Sequence, residues 1–340
     1  MLGNNNSQNK TRSGWTILVW VVVISLLLGG CAQKPKVYRV GVLSGLDFFA
    51  PAIDGLKNKM TELGYIEGKN IVYDVQKTNV DVAAYTKIVQ KFVADKVDLI
   101  FVFPTEAAAV AKAGTQGTNI PVVFDLSFTD VKEIDLINSV REPGGNITGV
   151  RFPSVDIASK RLEILLEMVP TAKRIWVPYL KDYPNVPGQL DVIQPLAQKA
   201  GGTLSGFAAT SPQDLQAELD RRAASGNVGM DAVLLIAEPL SITPDFFAVL
   251  GKFSYAHQIP VGGAPIMVGD YGSIFGLLPN AKLTGGQAAT LVDKVLKGTR
   301  AGTIPVVTTE SYLQINMKAA QAMGVKVPDG LLKMANDIIR

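Results

Sequence analysis

Residues 37–43 form a short apolar run, the length of a strand, and residues 51–63 change period. There Ile53, Leu56, Met60 and Leu63 recur at spacings of three and four, one face of a helix, and Gly64 follows as a stop. The switch repeats: strand 71–75, helix 82–94, strand 99–103, helix 106–113 and strand 122–124. A second round begins after Gly149, with helix 155–168, strand 174–178, helix 188–200, strand 203–208, helix 213–225, strand 232–236, helix 244–257 and strand 260–262. The strand runs of the first round are too uniformly apolar for a sheet wet on one face, which suits parallel strands covered on both faces. The pattern predicts an α/β protein of two doubly wound parallel-sheet lobes.

The tail does not simply extend the second lobe. Strand 273–278, helix 282–296, the strand "YLQIN" and a last helical pair imply that the chain recrosses near Ser273 and again near Thr308. The expected division is 37–148 plus 276–307 for lobe one and 149–275 plus 308–340 for lobe two. Several crossings make a hinge, with Gly149 and Gly276 as its expected pivots, and the cleft between the lobes is the natural ligand site.

The start of the chain follows another rule. Lys10 and Arg12 form a basic head, residues 15–28 are apolar apart from Thr16 and Ser25, and Gly29-Gly30 precede Cys31. A basic head, an apolar run and small residues at a cleavage point describe a secretory signal. The run is shorter than the roughly 20 residues of a spanning helix. Leu28-Gly29-Gly30-Cys31 resembles a bacterial lipobox, in which the cysteine is acylated and becomes the first residue. Residues 1–30 are therefore expected to be a signal peptide and 31–36 a lipidated tether, holding the mature chain on the outer face of a membrane.

Composition narrows the chemistry. Cys31 is the only cysteine, so the mature chain has no free thiol for catalysis and no internal disulfide. Removing 1–30, with two positive and no negative charges, lowers the net charge from +3 to +1, which gives no electrostatic case for nucleic acid. The one histidine, His257, sits at a helix C-terminus, where capping carbonyls is the expected role. No H-E-x-x-H, G-x-S-x-G or phosphate-loop motif is present, and Gly144-Gly145-Asn146 lacks the spacing of a dinucleotide loop and reads as a turn. An enzyme, a metal site and a cofactor are not expected.

Site residues follow from topology, because ligands gather at the carboxyl ends of parallel strands. In lobe one those ends supply Asp47, Phe48, Thr105, Glu106, Asp125 and Ser127. In lobe two they supply Tyr179, Glu238 and, further on, Asp270 or Tyr271. Thr105 begins a helix; its hydroxyl and the nearby amides either hold a ligand carboxylate or form a plain cap. Aromatic rings mixed with carboxylates favour a small cationic group on an apolar body.

The segments "YRVGVLSG", "LGYIEGKNI", "KFVADKVDLIFVFPTEAA", "IPVVF", "EPGGNITGV", "LLEMVPTAKRI" and "LQINMKAAQAMGV" resemble, in order, those of solute-binding lipoproteins of ABC uptake systems, in particular the subgroup related to tryptophan- and tyrosine-binding proteins. The resemblance implies a type I periplasmic-binding fold and a captured small solute handed to a membrane permease; the chain is expected to be a monomer. A sensory receptor partnering a membrane kinase or chemoreceptor is the alternative. One place departs from the family. After "IPV", where members tend to carry an acidic residue, the run is Gly262-Gly263-Ala264-Pro265-Ile266. Glu238, Asp125 or Asp47 then supplies the acid, or the ligand lacks an amine.

Overall fold

In the computed structural model the described residues are 1–3, 36–131 and 133–340. The leader and Cys31 fall outside them, so the anchor expectation has no structural counterpart here. Tyr38–Arg340 is the folded body.

Its first half builds one parallel sheet from β1 (Tyr38–Ser44), β2 (Ile71–Lys77), β3 (Leu99–Phe103), β4 (Val122–Ser127) and β5 (Ile147–Arg151). Between them run α1 (Pro51–Glu62), α2 (Val82–Ala94) and α3 (Thr105–Gly114). β3 and β4 are buried at every position, as strands covered on both faces must be. β2 is half exposed because it forms the sheet edge. Asp81 caps α2 by accepting from the Ala84 amide at 3.0 Å. "LGYIEGKNI" is explained locally. Gly64 and Gly68 take left-handed φ of +92° and +81°, and Asn70 ties the turn by accepting from Ile66 N and donating to Gly64 O.

The second lobe contains α4 (Ser154–Met168), β6 (Arg174–Leu180), α5 (Val186–Lys199), β7 (Thr203–Ala209), α6 (Pro212–Ala224), β8 (Ala232–Leu234), α7 (Pro244–His257) and β9 (Val261–Gly262). Its parallel sheet has the order β7-β6-β8-β9. A hairpin of β10 (Met267–Val268) and β11 (Tyr271–Gly272) follows, then β12 (Phe275–Leu278). Hydrogen bonds from Gly263 N to Phe275 O and from Leu277 N to Gly263 O carry the sheet on into β12. Strand alternation puts Trp176 among α6 and α7 residues, on the face opposite Ile175 and Val177.

The chain then returns. α8 (Ala281–Leu296) packs on α1 in lobe one, and β13 (Val307–Thr308) pairs with β5. β14 (Tyr312–Asn316) lies antiparallel to β12 in lobe two. α9 (Met317–Ala322), α10 (Asp329–Met334) and β15 (Asp337–Ile339) finish that lobe. The α1–α8 contact depends on missing side chains: a Cβ on Gly55 would stand 1.9 Å from Lys282 O, and one on Gly285 would stand 2.0 Å from Ala52 O.

The lobes are joined by segments 152–153, 279–280 and 309–311, each slightly C-terminal to its expected place. β5 completes the lobe-one sheet instead of opening lobe two, and β12 belongs to lobe two up to Leu278. This also corrects the expected pivots. Gly149 lies inside β5 opposite Phe124, where a Cβ would stand 2.2 Å from the Phe124 carbonyl oxygen. Gly276 lies inside β12, where a Cβ would stand 2.1 Å from Pro265 N. Both are glycine for close backbone approach, and neither lies in a crossing segment.

Candidate functional site

The carboxyl ends of the lobe-one strands face those of lobe two across a cavity of about 220 Å³. Lobe one contributes Leu46, Phe49, Val80, Pro104, Glu106, Leu126 and Phe128 to its wall. Lobe two contributes Leu180, Tyr183, Ala237, Glu238, Pro239, Ser241, Ile242 and Leu278, the last residue of β12, while Phe152 lines it at a crossing. Phe128 and Phe152 pack with ring centroids 5.3 Å apart. The Tyr183 hydroxyl donates to Glu106 Oε1 at 2.7 Å, bridging the two lobes. Burial first, then the Glu106 charge, pushes the Tyr183 phenol up, so it serves as a proton donor.

Of the residues expected from the sequence, Glu106 and Glu238 meet in this cavity. Glu106 belongs to the first turn of α3. Glu238 is almost fully buried and caps the short 3-10 turn Pro239–Ile242. Its carboxylate accepts from Leu240 N at 3.0 Å, Ser241 N at 3.0 Å and Leu180 N at 3.1 Å, stitching the end of β6 to the segment after β8. Burial pushes it up to about 7, against the pull of those amides and of Arg161.

The other expected residues stand elsewhere. Asp47 and Phe48 lie on a 3-10 turn with Phe49, and the turn points Phe49 inward at 6% exposure and leaves Phe48 outside at 43%. Phe48 faces a separate depression beside Pro51 and Pro279, and Asp47 is exposed. Thr105 is buried, and its hydroxyl accepts from Phe128 N at 2.9 Å, fixing the loop after β4. Ser127 is buried as the last residue of β4 and donates to Asp125 O. Tyr179 lies over Gly206 and lines a surface hollow with Lys181 and Asp191. Asp270 is exposed, and Tyr271 packs edge-on to Tyr255.

Asp125 is fully buried, and its Oδ1 accepts from Leu126 N at 2.8 Å. The Thr284 hydroxyl lies 3.1 Å from Asp125 Oδ2 and 2.9 Å from Ala281 O. One hydroxyl proton serves one of those acceptors, and a protonated Asp125 completes the other bond. Burial pushes Asp125 up to about 8, in agreement. Arg161, also fully buried, donates from Nε and Nη2 to Leu277 O and from Nη1 to Leu235 O. It ties the ends of β8 and β12 together behind the cavity.

Sequence reasoning missed Tyr183, Phe49, Phe128 and Phe152. The turn "LKDYPN" was the available signal for Tyr183, since Asp182 takes a left-handed φ of +59° that redirects the chain after β6. His257 ends α7 with its ring 4.4 Å from Phe253 and does not line the cavity. Among the described residues no group of three or more His, Cys, Asp or Glu is placed to hold a metal ion.

The family described as ABC transporter substrate binding protein matches residues 43–339. The tyrosine-binding protein of Clostridioides difficile (strain R20291) is 28% identical over 337 residues, covering 93% of this chain and 94% of that protein. A Streptococcus pneumoniae ABC protein solved with L-Trp superimposes with a TM-score of 0.76 at 22% identity, over 89% of this chain and 100% of that one. The ligand-free, open structure of a Clostridium difficile substrate-binding protein with adhesive properties gives 0.69 at 23% identity, over 89% of this chain and 99% of that one. These solved structures share the two-lobed arrangement of parallel sheets with helices on both faces. The chain belongs to the ABC transporter substrate-binding protein family, extracytoplasmic proteins that capture a small solute for an ABC transporter.

Proposed function

We propose that this protein is a lipid-anchored, monomeric receptor that captures a small amine-bearing solute with an apolar or aromatic portion and delivers it to a membrane permease. The observation that carries the reading is the cavity shared by the two lobes, with aromatic walls and Glu106 and Glu238 as its acidic groups. Apolar rings take the solute's body and carboxylates take its positive end. The tyrosine- and tryptophan-binding relatives support an amino acid or a related amine as ligand. The segments 152–153, 279–280 and 309–311 act as the hinge, and closure brings Tyr183 to Glu106. Cys31, acylated after removal of 1–30, keeps the receptor beside its permease.

A thermal-shift screen of amino acids, amines and small carboxylates tests this. A ligand at 100 times its dissociation constant stabilises by about 2.7 kcal/mol, a readily visible shift. The reading predicts hits among amines and amino acids with apolar side chains. Hits confined to polyanions or sugars would sink it.

A further inference from the structure

Among the described residues the cavity wall carries two carboxylates and no lysine, arginine or histidine. The two differ in what they have left to offer. Glu238 already receives three backbone amides. Glu106 receives one bond, from Tyr183 to Oε1, and among the described residues no protein donor reaches its Oε2. The open polar position in the cavity is therefore a carboxylate oxygen, an acceptor.

We propose that the preferred ligand is an arylalkyl monoamine, a ring on a short chain ending in an ammonium group with no carboxylate, whose ammonium sits on Glu106 Oε2 while Oε1 stays with Tyr183. This deepens the reading of the cleft as the solute site and rests on it. Size comes first. An apolar cavity of about 150 Å³ holds a benzene ring. This one, at about 220 Å³, accommodates a ring and two or three chain atoms. Phe49, Phe128 and Phe152 give the ring aromatic neighbours.

Charge decides between an amine and an amino acid. A zwitterion would bring its carboxylate into a chamber with two acids and no side-chain cation, where desolvated charge needs a partner. The first-turn amides of α3 are the remaining electropositive feature, and Glu106 stands in that same turn, already occupying the favourable end of the helix dipole. A monoamine meets no such conflict. It also supplies a reason for closure. Glu106 is half-buried between the lobes with no cationic side chain beside it in the cavity wall, and the ammonium supplies that missing counter-charge. Tyr183, on the opposite lobe, then binds the other oxygen of the same carboxylate. Recognition of charge and docking of the lobes thus act through one group, with Tyr183 as a positioning residue.

Titration calorimetry on the purified protein with three probes that share a ring tests this: 2-phenylethylamine, L-phenylalanine and 3-phenylpropanoate. The amine is expected to bind at least about tenfold tighter than the amino acid, and the acid to show no measurable binding. Glu106→Gln is expected to weaken the amine about tenfold or more and to shrink its advantage over L-phenylalanine, since a hydrogen bond to a charged group is worth about that factor. Tyr183→Phe keeps the charge, so it is expected to keep the ranking of the probes while weakening all that bind. Unfolding midpoints near wild type confirm that the variants fold. L-phenylalanine binding as tightly as the amine, failure of all three probes, or a Glu106→Gln protein that binds the amine as wild type does would each overturn the proposal. The cleft reading has its own control, Ile242→Trp, which fills the cavity. If it leaves binding of whichever solute the protein takes unchanged, the cleft is not the solute site. If it abolishes that binding while the amine has no advantage, only the amine preference fails.

Discussion

Replacing Arg161 with methionine keeps an unbranched apolar side chain in the lobe-two core and removes the guanidinium. In the structure that group makes hydrogen bonds of 3.1 and 2.9 Å to Leu277 O and 3.0 Å to Leu235 O, with no exposure to solvent. Two buried carbonyls would lose their charged donor, and leaving each unsatisfied costs about 1–3 kcal/mol. Part of this returns, because the buried cation is itself expensive: desolvation pulls the guanidinium down to about 9, with Glu238 offering the compensating charge. The net expectation is a loss of about 2–4 kcal/mol. Urea unfolding followed by circular dichroism measures it as a lower midpoint with an unchanged slope. Arg161→Lys separates charge from geometry. A point charge cannot fork to two carbonyls, so lysine should rescue little. Ligand affinity should fall too, since β12 leads into a crossing and Leu278 lines the cavity. A methionine variant within about 0.5 kcal/mol of wild type, the usual range for neutral surface changes, would refute the claim that this guanidinium holds the two strand ends together.

Stability should depend on pH with an unusual sign. Asp125, pushed up to about 8, holds its proton more tightly folded than unfolded, so between about pH 4 and 8 stability falls as pH rises, by up to about 1.4 kcal/mol per unit. Glu238, pushed up to about 7, adds the same sign over a narrower window. Melting curves at pH 4.5, 6 and 7.5 should show the decline, and Asp125→Asn should flatten it; an unaltered slope in that variant would place the effect elsewhere. Cys31→Ser should release the protein from membranes or block its processing, and a variant cleaved after Gly30 that still fractionates with membranes would remove the anchor.

Much of the fold was legible because long elements carry a period. The helix at 51–63 was read from apolar spacing and those at 82–94 and 244–257 from the alternation of strand and helix, and the structure has α1, α2 and α7 there. β10, β11 and β13 were not, since two residues each cannot display alternation. β5 was missed for another reason. Its sequence, Ile-Thr-Gly-Val-Arg, mixes a glycine and a charge into a strand, and only the approach of the Phe124 carbonyl explains the glycine. That one strand displaced the first boundary between the lobes.

The site shows the same division at finer scale. Strand ends named loops that border the cavity, and two of their residues, Glu106 and Glu238, line it. Which neighbour in a loop turns inward is decided by geometry that has no sequence period. Phe48 and Phe49 are chemically identical and adjacent, and a three-residue 3-10 turn buries one and exposes the other. Asp125 and Ser127 failed differently. β4 continues to Ser127, so both side chains belong to the interior of the lobe and its hydrogen bonds instead of to its mouth. Tyr183 lies beyond the end of β6, past a left-handed residue, where topology alone places nothing. Its role emerges only when both lobes are present, because its hydroxyl is defined by a carboxylate 77 residues away in the other one. In a two-lobed binding protein the fold is written in local periods, while the groups that join the lobes are written in neither lobe by itself. The acid expected after "IPV" illustrates the consequence. Its absence at 262–266 left the amine partner open among Glu238, Asp125 and Asp47. The structure commits Glu238 to three amides, buries Asp125 against Thr284 and leaves Asp47 in solvent. Among the described residues, the cavity carboxylate with an oxygen that no protein donor reaches is Glu106, at the start of α3 and not after β9.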